Sequence, residues 1–173
     1  MSFSILKGWG IVTFFRLLSF LLFFSFFAAC DQIPKDPHDT LEKVLRDKRI
    51  RVGVIHNPPW TDIRSDVPRG LEIELVQQFA SELGASPKWS IVDVDSAMQQ
   101  LQRGELDIVV GGLLKSSPYR EVGFTRPYVE FTPEEGEQRA QVMAVRRGEN
   151  RWLVTLERFL KGASFRIQPG PTS

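Results

Sequence analysis

Hydrophobic positions change their period several times along this chain. Residues 17–29 (LLSFLLFFSFFAA) form an uncharged run. Residues 30–38 are polar with two prolines and read as a linker. Beyond them, Leu41, Val44 and Leu45 share one face of a short helix capped by Asp39 or Thr40 and ending near Lys48. Residues 50–55 are a β-rich run that stops at Asn57-Pro58-Pro59-Trp60, where consecutive prolines cannot extend a ladder. Leu71, Leu75, Phe79 and Leu83 recur every fourth residue and predict a helix over 71–83, with Gly84 as its stop. A strand follows at 88–92. The next helix starts at Asp95 or Ser96, turns Ala97, Met98 and Leu101 inward, and ends at Gly104. Residues 106–110 form a strand running into Gly111-Gly112, then a loop at 113–118 and a helical turn around 119–122. Residues 124–128 are extended and 141–146 are a strand. A last helix starts at Glu149 or Asn150, buries Trp152, Leu153, Leu156, Phe159 and Leu160, and stops at Gly162. The tail has no periodicity and is expected to be mobile. Strands alternating with helices predict an α/β fold with a mainly parallel sheet flanked by helices.

Composition narrows the function classes. Of 173 residues, 42% are apolar and 25% charged, which suits one ordinary domain with an appendage. Net charge is +1. Residues 1–29 hold Lys7 and Arg16 and no acid, so the remainder has 20 bases against 21 acids, or −1. That balance gives no footprint for nucleic acid. A single cysteine excludes an intramolecular disulfide.

That cysteine stands at an informative point. A cationic start, the apolar run at 17–29 and its small-residue end make a secretory signal peptide. Thirteen uncharged residues are fewer than the ~20 that span a bilayer, although an uncleaved anchor reaching back past Arg16 is the competing reading. Phe27-Ala28-Ala29-Cys30 resembles the bacterial lipobox, with Phe27 where Leu is usual. The resemblance implies lipidation of Cys30 and membrane attachment through acyl chains. Asp31 resembles the inner-membrane retention signal of Gram-negative lipoproteins. The expected location is therefore the periplasm, on the inner membrane.

Residues 49–128 carry a further resemblance. Arg51-Val52-Gly53-Val54 with Asn57-Pro58-Pro59-Trp60, Gly70-Leu71-Glu72-Ile73-Glu74-Leu75, the Leu101/Gly104/Asp107/Gly111-Gly112 stretch, Ser117-Pro118-Tyr119-Arg120 and Phe124-Thr125-Arg126-Pro127-Tyr128 occur in order. Together they resemble lobe one of the family 3 solute-binding proteins, the amino-acid-type receptors with two lobes and a cleft between them. The family's chain leaves lobe one, builds lobe two and returns with a strand and a helix. Here only an acidic loop, 132–139, separates the outward segment from residues resembling that return. Lobe two is therefore expected to be missing. The other reading makes 142–145 the start of a truncated lobe two, whose ~30 residues could not form their own core. The resulting organisation is a signal peptide at 1–29, a lipid-anchored linker at 30–38, one lobe at 39–161 and a tail at 162–173.

The resemblance implies a binding site of four residues. Arg120 matches the arginine whose planar fork takes an amino acid's carboxylate. Trp60 matches the aromatic that packs on the ligand. Gly112 lets the backbone approach a ligand ammonium, and Ser117 supplies a hydroxyl or caps the turn. Each also has a plain structural reading: a surface cation, a loop anchor, a turn glycine and a capping serine. Leu114 departs from the family's usual hydroxyl residue, and the loop is one residue longer.

His38 and His56 are the only histidines, and no metal set, phosphate loop or nucleophile elbow is present. No cofactor and no enzymatic activity are expected. Residues 107–128 also resemble the subgroup fused to lytic transglycosylases. The expected function is an exported substrate-binding-like component of an amino-acid-type transport or sensing system, binding weakly or with a partner because half a cleft buries little of a ligand. Its partners would be an amino-acid-like ligand, a permease, a sensor or a protein standing in for lobe two. The alternative is an interaction or regulatory module that binds no small molecule.

Overall fold

The computed structural model describes residues 36–132 and 138–164. The expected signal peptide, Cys30, most of the acidic loop and the tail beyond 164 lie outside these described residues. Within them, α1 (Thr40–Asp47), β1 (Arg49–Val54), α2 (Leu71–Glu82), β2 (Ser86–Ile91), α3 (Val94–Arg103), β3 (Ile108–Leu114), β4 (Gly123–Phe124), β5 (Val129–Phe131), β6 (Arg139–Val145) and α4 (Asn150–Ser164) follow in order.

The sheet runs β2-β1-β3-β6-β4, with β5 also on β6. β1 pairs in parallel with β2 and β3. β6 pairs antiparallel with β3, β4 and β5, so the α/β lobe carries a mixed sheet. Both faces are covered, and the central strands are therefore nearly continuous apolar runs. Ile50, Val52, Val54, Ile108, Val110, Met143 and Val145 point to one core with Phe79, Trp152 and Leu156. Val109, Val142 and Ala144 point to the other, under Ala97, Met98 and Leu101 of α3. Each fully buried large side chain contributes roughly 1.5–3 kcal/mol. Trp152 is fully buried, packs on Phe79 with ring centroids 5.4 Å apart, and donates its indole N–H to the Asp107 carbonyl at 2.9 Å.

The element ends correct the sequence reading in several places. α3 begins at Val94 because Asp93 caps it, accepting the Ser96 amide at 3.0 Å. β3 continues through Gly111-Gly112 to Leu114, since Leu113 and Leu114 still pair with β6. Residues 119–122 form a turn and a bend without a helix. α4 runs past Gly162 to Ser164 because Ala163 is buried in the main core. The expected linker is docked at its end. Asp36 is buried and accepts the Arg151 and Trp152 amides at 2.6 and 3.1 Å, satisfying orphan donors of the first turn of α4. Glu149 returns the arrangement, accepting the His38 and Thr40 amides at 2.9 Å each.

β6 extends the sheet of the chain's first half. It lies in the same sheet as β3, so it does not begin a separate lobe. Phe131 and Arg139 are register partners of β5 and β6. Residues 132–138 connect those two strands.

Candidate functional site

β1 and β3 are parallel neighbours, so their C-terminal ends open on the same edge of the sheet. After β1 the chain makes a tight turn in which Asn57 and Thr61 exchange backbone hydrogen bonds of 2.9 and 3.1 Å. The Thr61 hydroxyl also donates to the Ile55 carbonyl. This turn presents Trp60. Its backbone is fastened from behind, because the Glu72 amide donates to the Trp60 carbonyl at 3.1 Å. Gly70 permits that approach: it has φ +120°, and a Cβ there would lie 2.4 Å from the Trp60 oxygen.

β3 supplies the other wall. Gly112 has φ +64°, and a Cβ would stand 2.3 Å from Asn57 Nδ2 and 2.8 Å from Trp60 Cδ1. Trp60 and Gly112 are therefore in direct apposition. Phe131, at the end of β5, flanks the indole at a centroid distance of 5.8 Å. Trp60 and Phe131 form a half-buried aromatic cradle over Gly112.

Under the cradle lies a group that sequence reasoning passed over. Glu72 is fully buried in the first turn of α2. Its Oε2 accepts the Gly111 and Gly112 amides at 2.6 and 2.9 Å, and Oε1 accepts the Tyr128 hydroxyl. Burial raises its pKa, opposed by these hydrogen bonds. Burial and the neighbouring carboxyl likewise push the Tyr128 phenol up. β3 bulges against β6, its register shifting between Val109 and Leu113, and the carbonyls of this bulge are engaged too. Asn57 Nδ2 donates to the Gly111 carbonyl at 3.0 Å, and the Gln141 amide reaches the Gly112 and Leu113 carbonyls at 3.1 and 3.0 Å. The helical stripe placed Leu71 inward and said nothing of Glu72. Its one signal was its place in the Gly70-Leu71-Glu72 motif.

Ser117 and Arg120 lie elsewhere. They line an open depression of about 860 Å³ together with Lys115, Ser116, Tyr119 and Arg147. The turn is pinned at two points: the Tyr119 hydroxyl donates to Asp95 at 2.8 Å, and Arg147 Nη1 donates to the Arg120 carbonyl at 2.8 Å. The Arg120 side chain is exposed. Ser117 donates its amide to the Leu114 carbonyl at 2.9 Å. The four sequence-selected residues thus form two pairs, a cradle pair and a flank pair. Among the described residues no group of acids and histidines could hold a metal ion, and no helix is long and apolar enough to cross a membrane.

Comparison with known proteins gives this arrangement a family context. The profile of the bacterial extracellular solute-binding proteins, family 3, matches residues 50–163. Membrane-bound lytic murein transglycosylase F of Vibrio cholerae serotype O1 is 38% identical over 86 residues, covering 49% of this chain and 16% of that protein. The protein of the same name from Idiomarina loihiensis is 33% identical over 122 residues, covering 68% of this chain and 25% of that one. The chain thus matches at most a quarter of the length of these two relatives. Among solved structures, an ancestral cationic amino acid solute-binding protein matches with a TM-score of 0.66 at 16% identity, over 74% of this chain and 95% of that one. The arginine-bound form of domain 1 from TmArgBP matches with a TM-score of 0.62 at 19% identity, over 69% and 97%. At these identities the structures establish the fold, a single lobe. The relatives correct one expectation: they bear the name of an enzyme, so the reading from the sequence that no enzymatic activity is to be expected does not stand.

Proposed function

Because the chain belongs to the bacterial extracellular solute-binding proteins, family 3, we propose that it is an exported recognition lobe for an amino-acid-like solute. The cradle holds the ligand's apolar part against Trp60, and Arg120 draws its carboxylate toward the flank. The observation that carries this reading is the apposition of Trp60 with Gly112, which sets an aromatic face at the strand ends. An arginine-bound single domain of the same fold lends it support. Half a cleft leaves much of the ligand wet, so affinity is weak unless a second surface closes over it.

The lobe works at the cell wall, attached to the inner membrane by lipid on Cys30. Its kinship to transglycosylase F suggests that it reports solute, including peptidoglycan fragments, to a murein-cleaving or transport partner. A permease, a sensor or a murein-acting protein fits the open face equally on chemical grounds. A thermal-shift screen of the full chain in detergent against amino acids and muropeptides tests the proposal. Stabilisation that grows with ligand concentration, and disappears in Arg120→Ala, is expected. No stabilisation by any member of the panel would leave the docking role of the face as the better account. Processing of the precursor tests the anchor: Cys30→Ser abolishes acylation if the lipobox reading is right.

A further inference from the structure

We propose that the depression beside the end of β3 selects ligands that carry a second carboxylate. The inference rests on the binding role just proposed and concerns which solutes the lobe prefers. Lys115, Arg120 and Arg147 all line this one depression, and no aspartate or glutamate lines it. None of the three makes an ion pair among the described residues. Arg46, Arg64, Arg103, Arg126 and Arg151 each pair with an acid elsewhere on the lobe. Here three cations without an ion pair share one depression.

Their geometry is suited to carboxylate. Arg147 spends one nitrogen, Nη1, on the Arg120 carbonyl, which holds its guanidinium in place and leaves its other donors free. Arg120 has its whole fork available for a bidentate partner. Ser116 and Ser117 line the same depression. A single α-carboxylate satisfies Arg120 and leaves Lys115 and Arg147 repelling one another. A side-chain carboxylate two or three bonds further on engages them. A cationic side chain, of the kind named for the solved relatives, meets only like charge here.

Calorimetric titration of the full chain in zwitterionic detergent at low salt tests this, with glutamate, alanine, arginine and inorganic phosphate as the probes. Glutamate is expected to bind about tenfold tighter than alanine, and arginine more weakly than alanine, with the glutamate advantage shrinking as salt rises. The variant K115Q should cut the glutamate advantage over alanine severalfold and leave alanine unchanged. Lys115 is exposed and its side chain makes no hydrogen bond among the described residues, so this substitution does not endanger the fold. Equal binding of alanine and glutamate, tighter binding of arginine, phosphate as tight as glutamate, or a preference undiminished in K115Q would each overturn the inference while the binding role stands. Absence of binding by every amino acid would overturn both.

Discussion

The cradle and the flank sit at the two ends of one short stretch, residues 112–120, and are built on opposite principles. The cradle is held from inside. Glu72, Asn57 and Gln141 between them satisfy both amides and the three carbonyls of the Gly111–Leu113 bulge named above. The flank is pinned at its turn by side chains, Asp95 and Arg147, and its cationic ends are exposed and make no ion pair among the described residues. The lobe thus fixes the shape of its site with buried polar groups and leaves its charge for the solvent or a ligand to compensate. Mutations in the two regions should therefore read out differently, in stability for the cradle and in binding for the flank.

The largest effect is expected at Glu72. Glu72→Ala strands two buried amides and a buried phenol, each costing about 1–3 kcal/mol, so the lobe should lose about 3 kcal/mol or more in chemical denaturation. A loss below about 1 kcal/mol would mean that water or a rearranged bulge replaces the carboxyl. Next in size is Gly112→Ala. Its positive φ and the 2.3 Å approach to Asn57 predict a cost of about 1–3 kcal/mol and displacement of Trp60, visible as a shift of its indole signal.

The pH dependence of Glu72 is smaller, and its sign is fixed. Its folded pKa is raised by burial above the ordinary glutamate value of 4.5. The protonated form is thus favoured by folding, and its contribution is full below about pH 4.5. That stability declines as pH rises from there through the folded pKa. Glu72→Gln, which keeps an acceptor for the two amides and a donor toward Tyr128, should flatten this slope across the same window. An unchanged slope in the variant would assign the pH dependence to another group. The smallest effect on stability belongs to Arg120→Ala, expected within about 0.5 kcal/mol of the parent in denaturation while binding falls severalfold or more. A large loss of stability in Arg120→Ala would erase the distinction between the two regions.

Much of this fold could be read from the order of residues. The stripe of Leu75 and Phe79, the stops at Gly84 and Gly104 and the apolar runs of β1 and β3 are local signals, and each fell in the element predicted for it. The pairing of Trp60 with Gly112 was legible only through a family resemblance, since 52 positions separate the two in the chain. The misses have a common cause. Gly162 and Gly112 were read as stops because glycine weakens regular structure locally, yet Ala163 is packed in the core and Leu113 and Leu114 pair with β6. Tertiary contacts outweighed a propensity of about 1 kcal/mol. Glu72 escaped for a related reason. A charged residue next to an apolar stripe reads as solvent-facing until the glycine amides that receive it, 39 and 40 residues away, are known. Asp36 and Glu149 were hidden in the same way, each completing a helix end more than a hundred residues distant.

The proposal that one lobe offers half of a solute cleft is tested most directly by a two-dimensional NMR titration of the full chain in detergent with glutamate. Binding should be weaker than micromolar and in fast exchange. It should move the Trp60 indole and the amides of Gly112, Ser117 and Arg120 while the buried Trp152 indole stays in place. Shifts confined to other surfaces, or sub-micromolar affinity for the isolated chain, would contradict it.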